Sequence, residues 1–170
     1  MFDFLKYGLI AVLFAFSGQL AAQELYFDGG VGNASAEEED LEGDDTYFRI
    51  GAGYKYSKSI AFEGGYWDLG EAQDGIFSAS VDGLYGAVKA TAEGNGSMNF
   101  FGRIGLYMWD STLCAGGFGC EDDDGSDIFF GGGISFDAGP GTINLELHLM
   151  ELDDVDVTTI GGSFSIPFGK

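Results

Sequence analysis

Residues Ile143-Asn144-Leu145-Glu146-Leu147-His148-Leu149 alternate without a break between apolar and polar side chains. An extended strand sorts such a pattern onto two faces, because successive side chains point to opposite sides of it. Ile143, Leu145, Leu147 and Leu149 then share one face, and Asn144, Glu146 and His148 share the other. The same period of two returns along the chain from about Glu24 to the end. It predicts eight strands, at 24–33, 46–57, 59–68, 76–92, 97–110, 127–137, 142–151 and 156–168. Thirty glycines and sixteen phenylalanines against two prolines suit strands joined by tight turns.

The parities are mutually consistent in seven of these segments. Phe48, Ile50, Ala52, Tyr54 and Tyr56 oppose Arg49, Gly51, Gly53 and Lys55. Ile60, Phe62 and Tyr66 oppose Glu63, and Ile104, Leu106 and Met108 oppose Arg103, Gly105 and Tyr107. Ile160, Phe164, Ile166 and Phe168 oppose Thr159, Gly161, Ser163 and Ser165. The fourth segment breaks the rule: Leu84, Val88 and Lys89 obey it, whereas Phe77 and Val81 have the opposite parity, which a bulge near Gly83 would repair. Short connections (57–58, 93–96, 138–141) alternate with longer ones (34–45, 69–75, 111–126, 152–155).

What precedes the strands decides their setting. Lys6, the apolar run from Tyr7 to Phe16 and the small residues up to Ala22 make a secretory leader, cut after Ala22 or Ala21. The chain thus divides into a signal peptide at 1–22 and a single barrel domain at 23–170. No apolar run reaches the roughly 20 residues that a membrane-spanning helix needs, and no cysteine stands at the cleavage region to carry a lipid anchor. Exported strands with one oily and one polar face, eight times over, predict an all-β fold. The expected form is an eight-stranded antiparallel up-and-down transmembrane β-barrel with short turns in the periplasm and long loops outside.

Parity alone leaves open which face is inside. The polar face is built of glycine, alanine and serine with isolated charges of both signs, unlike a solvated exterior. Bulky side chains crowd the other face, as a convex surface allows. Tyr54, Tyr56, Phe164 and Phe168 fall near one end of the strands, Phe48 and Tyr66 near the other, in the manner of two interfacial girdles. These features place the oily face against lipid.

Arg49-Ile50-Gly51-Ala52-Gly53-Tyr54, running into Phe62-Glu63-Gly64-Gly65-Tyr66-Trp67-Asp68-Leu69-Gly70, resembles small OmpA-type outer-membrane barrel domains. So do the stretch from Gly102 to Asp110 and the ending Gly162-Ser163-Phe164-Ser165-Ile166-Pro167-Phe168. The resemblance implies insertion by the barrel-assembly machinery. That machinery would read Gly162, Phe164, Ile166 and Phe168 on an amphipathic last strand, here followed by Gly169 and Lys170. It also implies a lumen filled by a charged, hydrogen-bonded plug. The further peptidoglycan-gripping domain of larger relatives is not expected here.

The parity sends Arg49, Lys55, Glu63, Lys89, Arg103, Glu146 and His148 into the lumen, with Asp28 undecided. An unpartnered buried charge costs several kcal/mol, so the signs inside must nearly balance. Cys114 and Cys120 are expected to oxidise to a short loop disulfide after export. They lack the neighbouring histidines or cysteines of a metal site. The long connections and their flanks hold most of the 28 acidic residues, within 37–45, 68–74, 110–127 and 151–156, and none of the seven basic ones. A net charge of -21 excludes nucleic acid as a partner. It leaves either a solvated repulsive surface or one that gathers divalent cations against lipid or lipopolysaccharide. His148 is the chain's one histidine, and Ser135 the nearest candidate nucleophile for it. The resulting expectation is a non-enzymatic outer-membrane barrel without cofactor or metal, structural or interactive through acidic loops. A narrow porin-like channel is the alternative, and a lipid- or peptide-modifying enzyme a weaker third.

Overall fold

The computed structural model describes residues 25–38, 41–74, 77–94, 96–115, 119–152 and 155–168. The expected leader at 1–22 lies outside them, as do Gly169 and Lys170. Every regular element among the described residues is a strand: β1 (Leu25–Glu38), β2 (Leu41–Lys55), β3 (Ile60–Asp74), β4 (Phe77–Glu93), β5 (Met98–Ala115), β6 (Gly119–Ala138), β7 (Gly141–Leu152) and β8 (Val155–Phe168). Each pairs antiparallel with the next, and β1 pairs with β8, so the sheet closes into an eight-stranded barrel. Closure gives every strand a partner on both sides, although residues 119–128 of β6 pair with β5 alone.

Three of the connections are strand for more of their length than the alternation indicates. Segments 34–45, 69–75 and 111–126, expected as loops, are largely paired hairpin arms: β1 and β2 stay in register up to Glu38 and Leu41, and β5 and β6 up to Ala115 and Gly119. The physical reason is solvation. Beyond the apolar band the outer face turns polar, and on β5 and β6 both faces are wet, so the period-two signal fades although the backbone pairing continues.

The expected bulge near Gly83 is not there. The β4–β5 register runs unbroken through Gly83 and Trp109. The irregularity lies in β3 instead, where Leu69 and Gly70 intervene between the pairs Asp68–Asp82 and Glu71–Ser80. Gly70 has φ +92°, a left-handed conformation that a side chain would strain. Asp68 Oδ1 accepts its N–H at 2.9 Å, and an Asp45 carboxylate oxygen accepts the N–H of Glu71. Val81 needs no repair, because the lumen face it occupies is apolar at that height and it packs on the buried core. The side chain of Phe77 lies outside what the structure describes.

The outward face forms an apolar band. Phe27, Val31, Ile50, Phe62, Ile104, Leu106, Phe130, Leu145, Leu149, Ile160 and Phe168 are each 40–60% exposed, an unusual fraction for so many large apolar side chains. On β5 the band runs from Phe100 to Met108, about nine residues, the length of a tilted strand crossing a hydrocarbon layer.

Candidate functional site

The lumen is built in two storeys. The lower, nearer the short turns, is ionic. Arg49 on β2 donates from Nη2 to Asp28 Oδ1 at 2.8 Å and to Glu146 Oε1 at 2.7 Å. Arg103 on β5 donates from Nε to Glu63 Oε2 at 2.6 Å and from Nη1 to Glu146 Oε2 at 3.2 Å. Glu146 on β7 thus bridges two guanidinium groups. Tyr26 donates its hydroxyl to Glu63 Oε1 at 2.5 Å, and Lys89 Nζ stands 3.8 Å from the same oxygen and 4.2 Å from the Phe101 ring centroid.

His148 completes this layer. Its Nε2 lies 2.7 Å from Arg103 Nη1 and 3.3 Å from Arg49 Nη1, and its Nδ1 lies 3.2 Å from Thr159 Oγ1. A guanidinium only donates, so Nε2 accepts, and the proton sits on Nδ1 facing the threonine oxygen. Gly131, its β6 neighbour in register, makes the room: a Cβ there would stand 2.2 Å from the imidazole Cδ2. Ser135 pairs with Asn144, four residues along β7 from His148 and so about 13 Å away. The structure does not bring those two together.

The charges inside balance. The buried ionic side chains among the described residues are Asp28, Glu63 and Glu146 against Arg49, Lys89 and Arg103. Asp28, undecided on parity, is therefore a full member. Lys55 departs from the expectation. It is the last residue of β2 and is exposed at the short-turn mouth, its Nζ 5.9 Å from the Tyr26 ring centroid. Alternation gives the side of the sheet a residue faces, not its depth along the barrel.

The upper storey is aromatic, a layer the sequence reading missed. Trp67 is fully buried at its centre, its ring 5.9 Å from Tyr47, 5.9 Å from Tyr85, 5.8 Å from Tyr107, 5.4 Å from Phe129 and 4.8 Å from His148. Arg49 Cζ lies 5.4 Å from the Trp67 ring, so a cation–π contact joins the storeys. Leu69, Trp109, Met150, Leu152 and Val157 continue the cluster towards the long hairpins. Two polar tips are satisfied there: Tyr107 donates to the Trp67 carbonyl at 2.9 Å and Trp109 Nε1 to Asp127 Oδ2 at 2.7 Å. The signal was present, since Tyr47, Trp67, Tyr85 and Phe129 all carry lumen parity.

Above the apolar band the outer surface turns acidic abruptly. Asp68 pairs with Asp82, Asp82 with Asp110 and Asp110 with Asp124, a row across four strands with lipid-face parity. Tyr66 donates to Asp82 Oδ2 at 2.9 Å from just below. Directly opposed like charges repel. Among the described residues no three such groups converge closely enough to hold a metal ion. Glu39, Asp40, Asp153 and Asp154 lie outside the described residues. Cys114 and Cys120 face one another in the β5–β6 register, Cα atoms 4.0 Å apart, and form a disulfide across the tip of the tallest hairpin. At the other end of the barrel, Phe164, Ile166 and Phe168 are exposed on the apolar face shared with Gly162. Phe168 there stacks edge-on against Phe27 at 5.2 Å.

No family model and no curated protein sequence matches the chain. Solved structures do. Neisserial surface protein A superposes with a TM-score of 0.73 at 12% identity, covering 87% of this chain and 100% of that one. Ail of Yersinia pestis, solved with the heparin analogue sucrose octasulfate, gives 0.64 at 15% identity, covering 87% and 100%. The N-terminal barrel domain of Pseudomonas aeruginosa OprF gives 0.56 at 12% identity, covering 83% and 97%. The chain has the fold of the small eight-stranded outer-membrane β-barrels.

Proposed function

We propose that this chain is an integral outer-membrane barrel, exported by a cleaved leader, whose lumen is a structural plug and whose acidic outer hairpins are its interacting surface. The observation that carries this reading is the inversion of the molecule: oily side chains form the exposed band while a charge-balanced network is buried inside it. A soluble barrel has the opposite arrangement. The aromatic storey supports the plug over the channel, because fully buried rings fill the lumen between the ionic layer and the long hairpins. It also supports a non-enzymatic role: His148 accepts from two arginines, fully buried, with only the buried Thr159 hydroxyl on its other nitrogen. The membership in OmpA-type domains and the reading of β8 by the assembly machinery belong to the same proposal.

Planar-bilayer recording tests plug against channel. The wild type is expected to give no discrete openings, and Glu63→Ala is expected to melt earlier because Arg103 and Lys89 lose their carboxylate. A reproducible wild-type conductance would favour the channel instead.

The orientation of the faces is tested at Leu145, 51% exposed within the apolar band. Leu145→Arg is expected to lower folding stability in lipid by about 2–4 kcal/mol. Leu145→Phe should be nearly neutral. Equal losses, measured by denaturant titration in vesicles, would contradict an outward Leu145.

Lipopolysaccharide phosphates bridged by divalent cations are the partner that best suits the aspartate row. Bare carboxylates in register repel a polyanion unless a cation intervenes. The sulfated sugar found with Ail is for the same reason a poor match to this chain's outer end. Calcium titration of the refolded barrel in lipopolysaccharide-containing vesicles is expected to release heat that Asp82→Asn with Asp110→Asn removes. Equal heats in both proteins would end the idea.

A further inference from the structure

The short-turn mouth of the barrel opens into a cavity of about 500 Å³, within the range of small-molecule sites. Lys55, Lys58 and Lys89 line it, with Asp137 as the one acidic lining residue. This polarity is opposite to the rest of the molecule. The chain carries -21, yet all five basic residues among those described, Arg49 and Arg103 included, lie in the lumen or at this mouth. Charges gathered at a concave low-dielectric opening focus their field on it. Lys89 is held by Glu63 only at 3.8 Å, beyond hydrogen-bond reach, so its ammonium keeps donors to offer.

A second observation comes from the opposite wall. Asn144 on β7 is fully buried and lines the same cavity. Its Nδ2 donates to Ser163 Oγ at 3.0 Å and Ser165 Oγ at 3.1 Å. Ser165 gives its own proton to Asp28 Oδ2 at 2.8 Å, so its oxygen must accept from the amide, which fixes the amide orientation. Asn144 Oδ1 is then the atom left over, and it has no hydrogen-bond partner among the described residues. A buried carbonyl oxygen in that state calls for a donor, and Asn144 belongs to the cavity wall.

We infer that this vestibule binds a small hydroxylated organic anion of the sugar-acid type, its charge between the lysines and a hydroxyl donated to Asn144 Oδ1. The inference takes from the proposed function only the compartment that supplies the ligand, the periplasm; the site itself stands on the barrel alone.

The test is calorimetric titration of the detergent-refolded barrel with gluconate, with glucose and hexanoate as probes lacking respectively the charge and the hydroxyls. Heat-modifiable migration is checked first for each protein, which separates failure of the fold from failure of the site. Gluconate is expected to bind one to one with a millimolar or tighter Kd that weakens with added salt. Glucose and hexanoate should each bind at least tenfold more weakly, and Lys55→Gln with Lys58→Gln, both exposed positions, should weaken gluconate at least tenfold. Absence of gluconate heat in the wild type, equal affinity in the double variant, or hexanoate matching gluconate would overturn the assignment.

Discussion

Glu146→Gln is expected to lower the unfolding free energy of the refolded barrel by about 3–5 kcal/mol, the range for breaking a buried ion pair from one side. The reason is its position between Arg49 and Arg103, each within hydrogen-bond distance of a different carboxylate oxygen. Glutamine keeps the shape and one acceptor but removes the charge. The buried set would shift from three acids and three bases to an excess of one positive charge. Neither arginine can shed its proton to compensate. Glu151→Gln on the same strand is the control. Glu151 is exposed, and surface changes of this kind stay within about 0.5 kcal/mol. Denaturant titration of both variants in detergent micelles measures the difference, and similar midpoints would mean that the lumen ion pairs do not hold the barrel together.

Trp67→Ala is expected to cost about 3–5 kcal/mol for a different reason, the loss of a large buried side chain and the cavity left behind. The indole touches rings from β2, β4, β5, β6 and β7, so no single neighbour can move in to fill the space. Trp67→Phe should cost far less. Its ring preserves most of the packing, and the indole Nε1 that is lost has no hydrogen-bond partner among the described residues. If alanine and phenylalanine at this position gave equal melting temperatures, the aromatic storey would be a bystander rather than the upper seal of the lumen.

The fold was legible where one face of a strand met an apolar phase and the other did not. That contrast made Ile143 to Leu149 readable residue by residue, and it set Arg49, Glu63, Lys89, Arg103, Glu146 and His148 on one side of the wall. It failed in three places, each for a physical cause. The hairpin arms of β5 and β6 beyond Asp110 and Asp127 are wet on both faces and carry no alternation. Depth is invisible to a period of two, so Lys55 and Lys89 read alike although one is exposed at the mouth and the other buried beside Glu63. Height-dependent chemistry on one face is equally hidden: Val81 breaks the parity of its strand because the upper half of the lumen is apolar. The Asp68–Asp82–Asp110–Asp124 row emerges only from register, which the four residues' separations in the chain do not state.

The measurement that bears most directly on an inside-out barrel is fractionation of producing cells followed by gel electrophoresis with and without heating. The account predicts a band in the outer-membrane fraction that migrates differently before and after boiling. Leaderless protein that is freely soluble and natively folded without detergent would contradict it.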